Sequence, residues 1–298
     1  MSVHNDRRYL PAAVESILRQ SLEDLELLVI DDGSTDGSFE LLRKSGDARV
    51  RPLRNETNLG LPRSLNRGIE LATGHYLARI DADDVAMPQR LARQVEFLDA
   101  HKDVGIVGSS RVLIDEEGNV IVPHAPAAED DLRIRWKCLL GNPFAHPTVM
   151  FRRALLDKYR LRYDECYRTA QDYELWSRLL KVTEGHNLPE ALLQYRLRQG
   201  VSRTHKPEQL RNHDRIALAS ILRLVPGFEI SQTEVTALRG RFGGFSVRDS
   251  SMDPDESRWV SLYLRLLDAF AREYRASAGI AALVREVRET CHYSRNAA

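Results

Sequence analysis

The stretch YLARIDADDVAMP, residues 76 to 88, places three aspartates within four positions directly after a short apolar run. Carboxylates crowded in this way repel one another, and each is costly to desolvate. The run before them has strand length, and the chain on either side alternates between strand-like and helix-like patterns. PAAVESILRQS (11–21) carries Val14, Ile17 and Leu18 at helical spacing, with Pro11 suited to a first turn. LELLVI (25–30) is an apolar run ended by the turn chemistry of DDGSTDG, with a short helix expected from Phe39. VRPLRN (50–55) reads as an edge strand because of Pro52. LPRSLNRGIELATG (61–74) is helical through Leu61, Leu65, Ile69 and Ala72, and PQRLARQVEFLDAH (88–101) through Leu91, Val95 and Leu98.

Strands alternating with helices at this spacing predict an α/β fold, with a mixed, mostly parallel open sheet flanked by helices. Such sheets bind ligands outside the carboxyl ends of their strands. Asp31-Asp32 and Asp81 to Asp84 would both lie on that edge. From Val104 the pattern changes. VGIVGSSRVLIDEEGNVIV reads as strands turning at Glu117-Gly118-Asn119, DDLRIRWKCLLGN as a helix, TVMFRR as a strand, QDYELWSRLLKV as a helix and ALLQYRLR as a last strand. Beyond residue 203 the strand signals stop. Helices are expected over 210–225, 257–274 and 280–289, and RGRFGGF (239–245) reads as loop. The chain thus divides into residues 1–203, the α/β domain, and 204–298, a helical appendage expected to pack on it. The appendage is expected to help bind an acceptor or a partner, and its removal to spare chemistry on the donor side if it serves only the acceptor.

Lys+Arg and Asp+Glu are both 43, so the net charge is zero, which argues against an electrostatic nucleic-acid binder. No apolar run approaches the length of a membrane span. Cys138, Cys166 and Cys291 are scattered, as expected of reduced thiols in a cytoplasmic protein.

A carboxylate cluster on a strand-end turn suits a hard divalent cation, Mn²⁺ or Mg²⁺, which takes oxygen ligands and commonly pairs with substrate phosphates. Asp81 and Asp83, separated by the small Ala82, could both reach one ion. The blander alternative is a solvated turn whose aspartates cap the next helix.

SVHNDRRYLPAAVESILRQS, LLVIDDGSTDGS, NLGLPRSLNRGIELATGHYLARIDADD, GNPFAHPTVMFRR and AQDYELWSRL follow one another in an order and spacing that closely resemble glycosyltransferase family 2, inverting enzymes of the GT-A fold. The resemblance covers residues 2 to 203. It implies transfer of a sugar from a nucleotide-diphosphate sugar, UDP-linked in most relatives, to a sugar or lipid-linked acceptor in bacterial surface polysaccharide or glycolipid synthesis. It implies that Asp32 holds the base or ribose, that His4 lies beside the nucleotide, and that Asn58 and Gly60 belong to the loop closing over the donor. Asp81 and Asp83 form the DxD motif, with Asp83 the surer metal ligand and Asp81 also on the donor. Asp172 falls on the catalytic base, and His146 on the acceptor or phosphate side. Where relatives often carry a metal-binding His, this chain has Arg198, which could pair with diphosphate but could not ligate a metal. The QxxRW motif of processive synthases is absent, which favours transfer of one sugar per encounter.

Bland alternatives stand beside these roles. Asp172 could be a helix N-cap, His146 a satisfied loop histidine, and Asp32 a tight-turn residue. Two other functions compete: a catalytically inactive nucleotide-sugar binder or partner subunit, and a haloacid-dehalogenase-like phosphohydrolase with Asp81 as nucleophile. Lys206, Arg211 and Arg215 alternate with apolar residues, a pattern compatible with a membrane surface or with a solvated helix face. Finally, only Ser2 to Asn5 are available for a first strand that belongs at the centre of such a sheet. Its neighbours are expected to flank an uncovered apolar groove.

Overall fold

The computed structural model describes residues 1–198, 206–243 and 256–296. It is a mixed α/β fold. β1 (Ser2–Val3), β2 (Leu27–Asp32) and β3 (Val50–Asn55) form a parallel sheet in the order β1-β2-β3. Pro52 lies on the edge strand, as its missing N–H requires. Ser2 pairs with Ile30 on one side and forms a parallel bridge to Asp81 on the other. The short first strand is therefore central, and it joins the two halves of the fold.

The second sheet runs β4 (Tyr76–Ala78), β8 (Met150–Arg152), β6 (Val104–Ile114), β9 (Glu184–Arg196), β5 (Val85–Ala86), with β7 (Val120–Ala125) also on β6. Among the described strands of this sheet, β6 and β9 are parallel, and β4–β8, β6–β8, β5–β9 and β6–β7 are antiparallel. The expected mixed sheet is present, and its longest pairings, β2–β3 and β6–β9, are parallel. In the N-terminal half helices return the chain between parallel strands. Short antiparallel pairings enter where the hairpin at Gly118 (φ 94°) and the short strands β5 and β8 reverse direction. β9 is also longer than the sequence suggested, starting at Glu184. Its register skips from Leu188 to Ala191, so Pro189 and Glu190 sit in a bulge where Pro189 owes no ladder hydrogen bond.

The helices over the strands are α1 (Leu10–Leu18), α2 (Ser38–Arg43), α3 (Leu61–Leu71), α4 (Arg90–Ala100), α5 (Asp131–Cys138), α6 (Arg153–Lys158) and α7 (Gln171–Leu179). Leu65 and Ile69 of α3 and Leu91 and Leu98 of α4 are buried, on the spacing read from the sequence.

Among the described residues four helices follow: α8 (Lys206–Leu224), α9 (Gln232–Phe242), α10 (Glu256–Glu273) and α11 (Ile280–Asn296). α9 was not foreseen, and Arg239 to Phe242, read as loop, are its last turn; residues 244 and 245 of that stretch lie outside the described residues. The signal was present, because Ser231 and Glu234 form a capping box. Arg211 and Arg215 of α8 are exposed. The boundary placed at residue 203 also lies outside the described residues. The helices do more than rest on the α/β part. Ile216, Ile221, Val235, Leu266 and Phe270 belong to one apolar cluster with Ile106, Phe151, Tyr173 and Trp176. Asn212 donates to the Thr169 carbonyl at 3.2 Å, and Arg239 Nε to the Leu140 carbonyl at 3.0 Å. Together they close the core over α7.

Between β2 and β4 lies an apolar groove of about 670 Å³, lined by Leu27, Leu28, Ile30, Tyr76, Leu77 and Ile80 among others. Met1 reaches into its end: its ammonium donates to the Leu28 carbonyl at 2.9 Å, and burial, helped by Arg79, pushes that amine down to about 5. The uncovered groove expected beside the short first strand is present.

Candidate active site

Both acidic turns lie at the same strand edge, held there by different means. Asp32 ends β2 with its side chain 3% exposed. Its Oδ1 accepts from Asn55 Nδ2 (2.7 Å) and Leu59 N (2.9 Å), and its Oδ2 from Gly60 N (2.9 Å). Asp32 therefore anchors the 55–60 loop, and its carboxylate faces that loop. Asn58 Oδ1 also accepts from Gly60 N, at 3.0 Å. Gly60 (φ 91°) is the N-cap of α3, a backbone state that glycine adopts without strain. His4 is exposed, with Nδ1 2.8 Å from the Asp32 carbonyl oxygen. The neighbouring Asp31, in the same acidic turn, is fully buried and has an Oδ1 with no partner.

The second turn brings carboxylate oxygens of Asp81, Asp83 and Asp84 within 4.8 Å of one another. The end of β9 fastens it: Arg196 N donates to Asp84 Oδ1 (2.8 Å), and Arg196 Nε to the Asp83 carbonyl (2.8 Å). Asp84 is 1% exposed and its Oδ2 has no partner. Burial, then the charges of Asp81 and Asp83, hold the Asp84 carboxyl well above the ordinary carboxylate range. Asp83 is raised as well, by burial and by Asp81. An orphaned buried oxygen beside two converging carboxylates fits a divalent cation.

Two guanidinium groups already serve this cluster. Buried Arg79 grips both oxygens of Asp81, and its own carbonyl accepts from Arg90 Nη2 at 2.6 Å. Arg198 Nη1 donates to Asp83 Oδ2 at 3.0 Å and to Asp6 Oδ1 at 2.5 Å. The predicted phosphate-side Arg198 is thus placed on a predicted metal ligand.

Asp172 is the second residue of α7. The N-cap is Ala170, in the left-handed region at φ 61°, so the plain N-cap alternative for Asp172 is set aside. Its half-buried carboxylate accepts from Asn142 Nδ2 at 2.6 Å. Burial raises the Asp172 carboxyl, while the Tyr173 N–H, Asn142 and the charge of Arg79 oppose the rise. His146 is 9% exposed, with Nε2 2.8 Å from Tyr163 Oη. Burial, then Arg79, holds it well below the usual histidine range, so it is neutral. Burial pushes the Tyr163 hydroxyl up, with the charge of Arg79 opposing the rise and those of Asp172 and Asp81 adding to it. Arg79 therefore ties Asp81, Asp172, His146 and Tyr163 into one electrostatic neighbourhood. His146 is a satisfied, tyrosine-paired histidine on that neighbourhood's wall. Arg79, Asn142, Tyr163 and Asp84 were not singled out in the sequence; only Asp84 carried a legible signal, as the third aspartate of the turn.

The family described as Glycosyl transferase family 2 matches residues 1–160. The chain is 35% identical over 204 residues to EpsE of Bacillus subtilis (strain 168), a protein assigned as a glycosyltransferase, over 66% of this chain and 71% of that one. It is 32% identical over 206 residues to the O-antigen biosynthesis glycosyltransferase WbnJ of Escherichia coli, over 66% and 78%. In fold it is similar to the S. aureus TarS fragment solved with UDP-GlcNAc, with a TM-score of 0.64 and 21% identity over 99% of this chain and 86% of that one. It is also similar to the mannosyltransferase PcManGT of Pyrobaculum calidifontis, solved with GDP-Man and Mn²⁺, with a TM-score of 0.57 and 16% identity over 91% and 85%. With the family matched over more than half of its length and relatives covered over more than two thirds of theirs, this chain belongs to glycosyltransferase family 2.

Proposed function

We propose that the chain catalyses inverting, divalent-cation-assisted transfer of one sugar per encounter from a nucleotide-diphosphate sugar to an acceptor hydroxyl. The observation that carries this reading is the placement of one half-buried carboxylate, Asp172, in the same electrostatic neighbourhood as the acidic turn. Asp172 takes the acceptor proton as the hydroxyl attacks, and Asn142 holds the carboxylate in position for it. A single base opposite the leaving group gives inversion. Asp83 and Asp84, with Asp81, would hold Mn²⁺ or Mg²⁺, which when bound acts as a Lewis acid on the diphosphate. The loop pinned by Asp32, with Asn58 and Gly60, orients the donor alongside His4, and Arg198 supplies a further positive charge for the phosphates.

A UDP-linked donor is favoured by the fold neighbour solved with UDP-GlcNAc, and the GDP-Man neighbour defines the alternative base. A surface polysaccharide or lipid-linked acceptor is favoured by relatives named for amylovoran and O-antigen biosynthesis. The exposed basic residues Lys206, Arg211 and Arg215 would meet such an acceptor at the cytoplasmic face of a membrane. Among the described residues no helix is long and apolar enough to cross one, so this contact would be peripheral.

The test is a screen of nucleotide sugars with purified protein in Mn²⁺, in Mg²⁺ and in chelator. Release of nucleoside diphosphate, dependent on the cation, is the expected result. Binding without turnover would favour the catalytically inactive binder, and release of orthophosphate would favour the phosphohydrolase.

A further inference from the structure

The guanidinium of Arg198 shares one nitrogen between Asp6 (2.5 Å) and Asp83 (3.0 Å). Burial alone would pull this arginine's pKa down, yet its bonds to the two aspartates hold it above its ordinary value. It lies over the Tyr9 ring, 4.8 Å from the centroid, beside an open cleft of about 650 Å³ lined by Asn5, Asp6, Arg7, Arg8, Asp36 and Glu116. The side chain is 34% exposed and is held by charge and ring contact, so it can leave. Asp83 Oδ2 cannot give the same lone pair to a cation and to Arg198, and a divalent ion placed on Asp83 would also repel the guanidinium. A diphosphate in the cleft would offer Arg198 an equivalent partner.

From this geometry we infer that Arg198 is an exchangeable cation on Asp83 that makes divalent-metal binding depend on donor binding. With no nucleotide present, Arg198 competes with the metal for Asp83. When the diphosphate arrives, Arg198 moves onto it, Asp83 is freed, and metal and nucleotide bind cooperatively. The inference rests on the reading of Asp81, Asp83 and Asp84 as a divalent-cation site, and it adds a coupling that a histidine ligand at this position would not produce. Arg198 acts here as a positioning residue.

The experiment is a Mn²⁺ titration by electron paramagnetic resonance, with and without UDP, on the wild type, Arg198→Gln and Arg93→Gln. Arg93→Gln removes an equal charge from an exposed site whose partners are Glu96 and Glu190. In the wild type, UDP is expected to tighten Mn²⁺ by about fivefold or more. Arg198→Gln is expected to bind Mn²⁺ alone about threefold or more tighter than the wild type, the scale of one partly exposed ion pair. It should also bind UDP more weakly and show less coupling than the wild type, whereas Arg93→Gln should match the wild type. Because a misfolded variant would bind metal more weakly, tightening cannot come from unfolding. Unchanged or weaker Mn²⁺ binding by Arg198→Gln, or equal tightening by Arg93→Gln, overturns the inference while leaving the metal site standing. Failure of every variant to bind Mn²⁺, with or without UDP, overturns both.

Discussion

Asn142 Nδ2 donates to Asp172 Oδ2 at 2.6 Å, joining the loop after α5 to the first turn of α7. The bond favours the charged form of a carboxylate whose burial favours the neutral one. Asp172 must be ionised to accept a proton. Activity is therefore expected to fall as pH falls through its raised pKa, with a limb above the ordinary carboxylate range. Asn142→Ala removes one of the groups holding that pKa down, so the limb should move to higher pH. A pH–rate profile of the two proteins checks this; a limb that stays in place would separate Asn142 from the titrating group.

Asp83→Ala should abolish divalent-dependent donor turnover while the far-UV spectrum and melting temperature stay near those of the wild type. Asp83 is a surface-edge carboxylate, 20% exposed, and its loss leaves Asp84 fastened by Arg196. Full turnover by the variant, or by the wild type in chelator, would remove the metal from the account.

Gly33 should resist substitution. Its φ is +70°, and an added Cβ would lie 2.7 Å from the Thr57 carbonyl carbon and 2.8 Å from Asn58 N. Both contacts are backbone, so the 55–60 loop must move. Gly33→Ala should cost about 1–3 kcal/mol and weaken nucleotide affinity, as read by denaturant melts and calorimetry. Unchanged affinity would dissociate that loop from the donor.

The C-terminal helices bear on an expectation that the structure changes. Deleting residues 204–298 was expected to spare donor chemistry, but Ile221 and Phe270 are fully buried in a cluster that includes Trp176 and Tyr173 of α7. The truncation should instead aggregate, and Ile221→Ala should cost about 2–5 kcal/mol. A soluble, cooperatively melting truncation would show that the α/β part holds its own core.

The groove between β2 and β4 makes a further test. A run of about four to six apolar, β-branched residues placed ahead of Ser2 in the stead of Met1 would be of strand length. It should raise the melting temperature more than a Gly/Ser run of equal length does. Equal melting temperatures would mean that the groove does not accept a strand.

How much of this could be read in advance follows from how local each signal is. The βα units through α4, the edge position of Pro52, the Gly118 turn and the shared edge of both acidic turns all follow from periodicity and turn chemistry within short windows. The antiparallel half did not, because strand direction is set by partners distant in sequence, such as Phe151 opposite Leu77 and Ile106. The start of β9 was hidden by Pro189, whose bulge only the β6 register reveals. In the site, the aspartates were legible as a cluster. Their cations were less so: Arg79 carries no signal, and Arg198 reads as a partner for the diphosphate alone, until the fold carries the first inward and brings the second back across the sheet to Asp83 and Asp6.

The most direct test of the account is a comparison of the wild type with Asp172→Asn, in donor binding and in transfer at saturating donor. The variant keeps the shape and the Asn142 contact site while removing the base. The account predicts donor affinity within a few-fold of the wild type and transfer slower by roughly 10²-fold or more. Collapse of donor affinity with the saturated rate intact would contradict it and make Asp172 a binding residue.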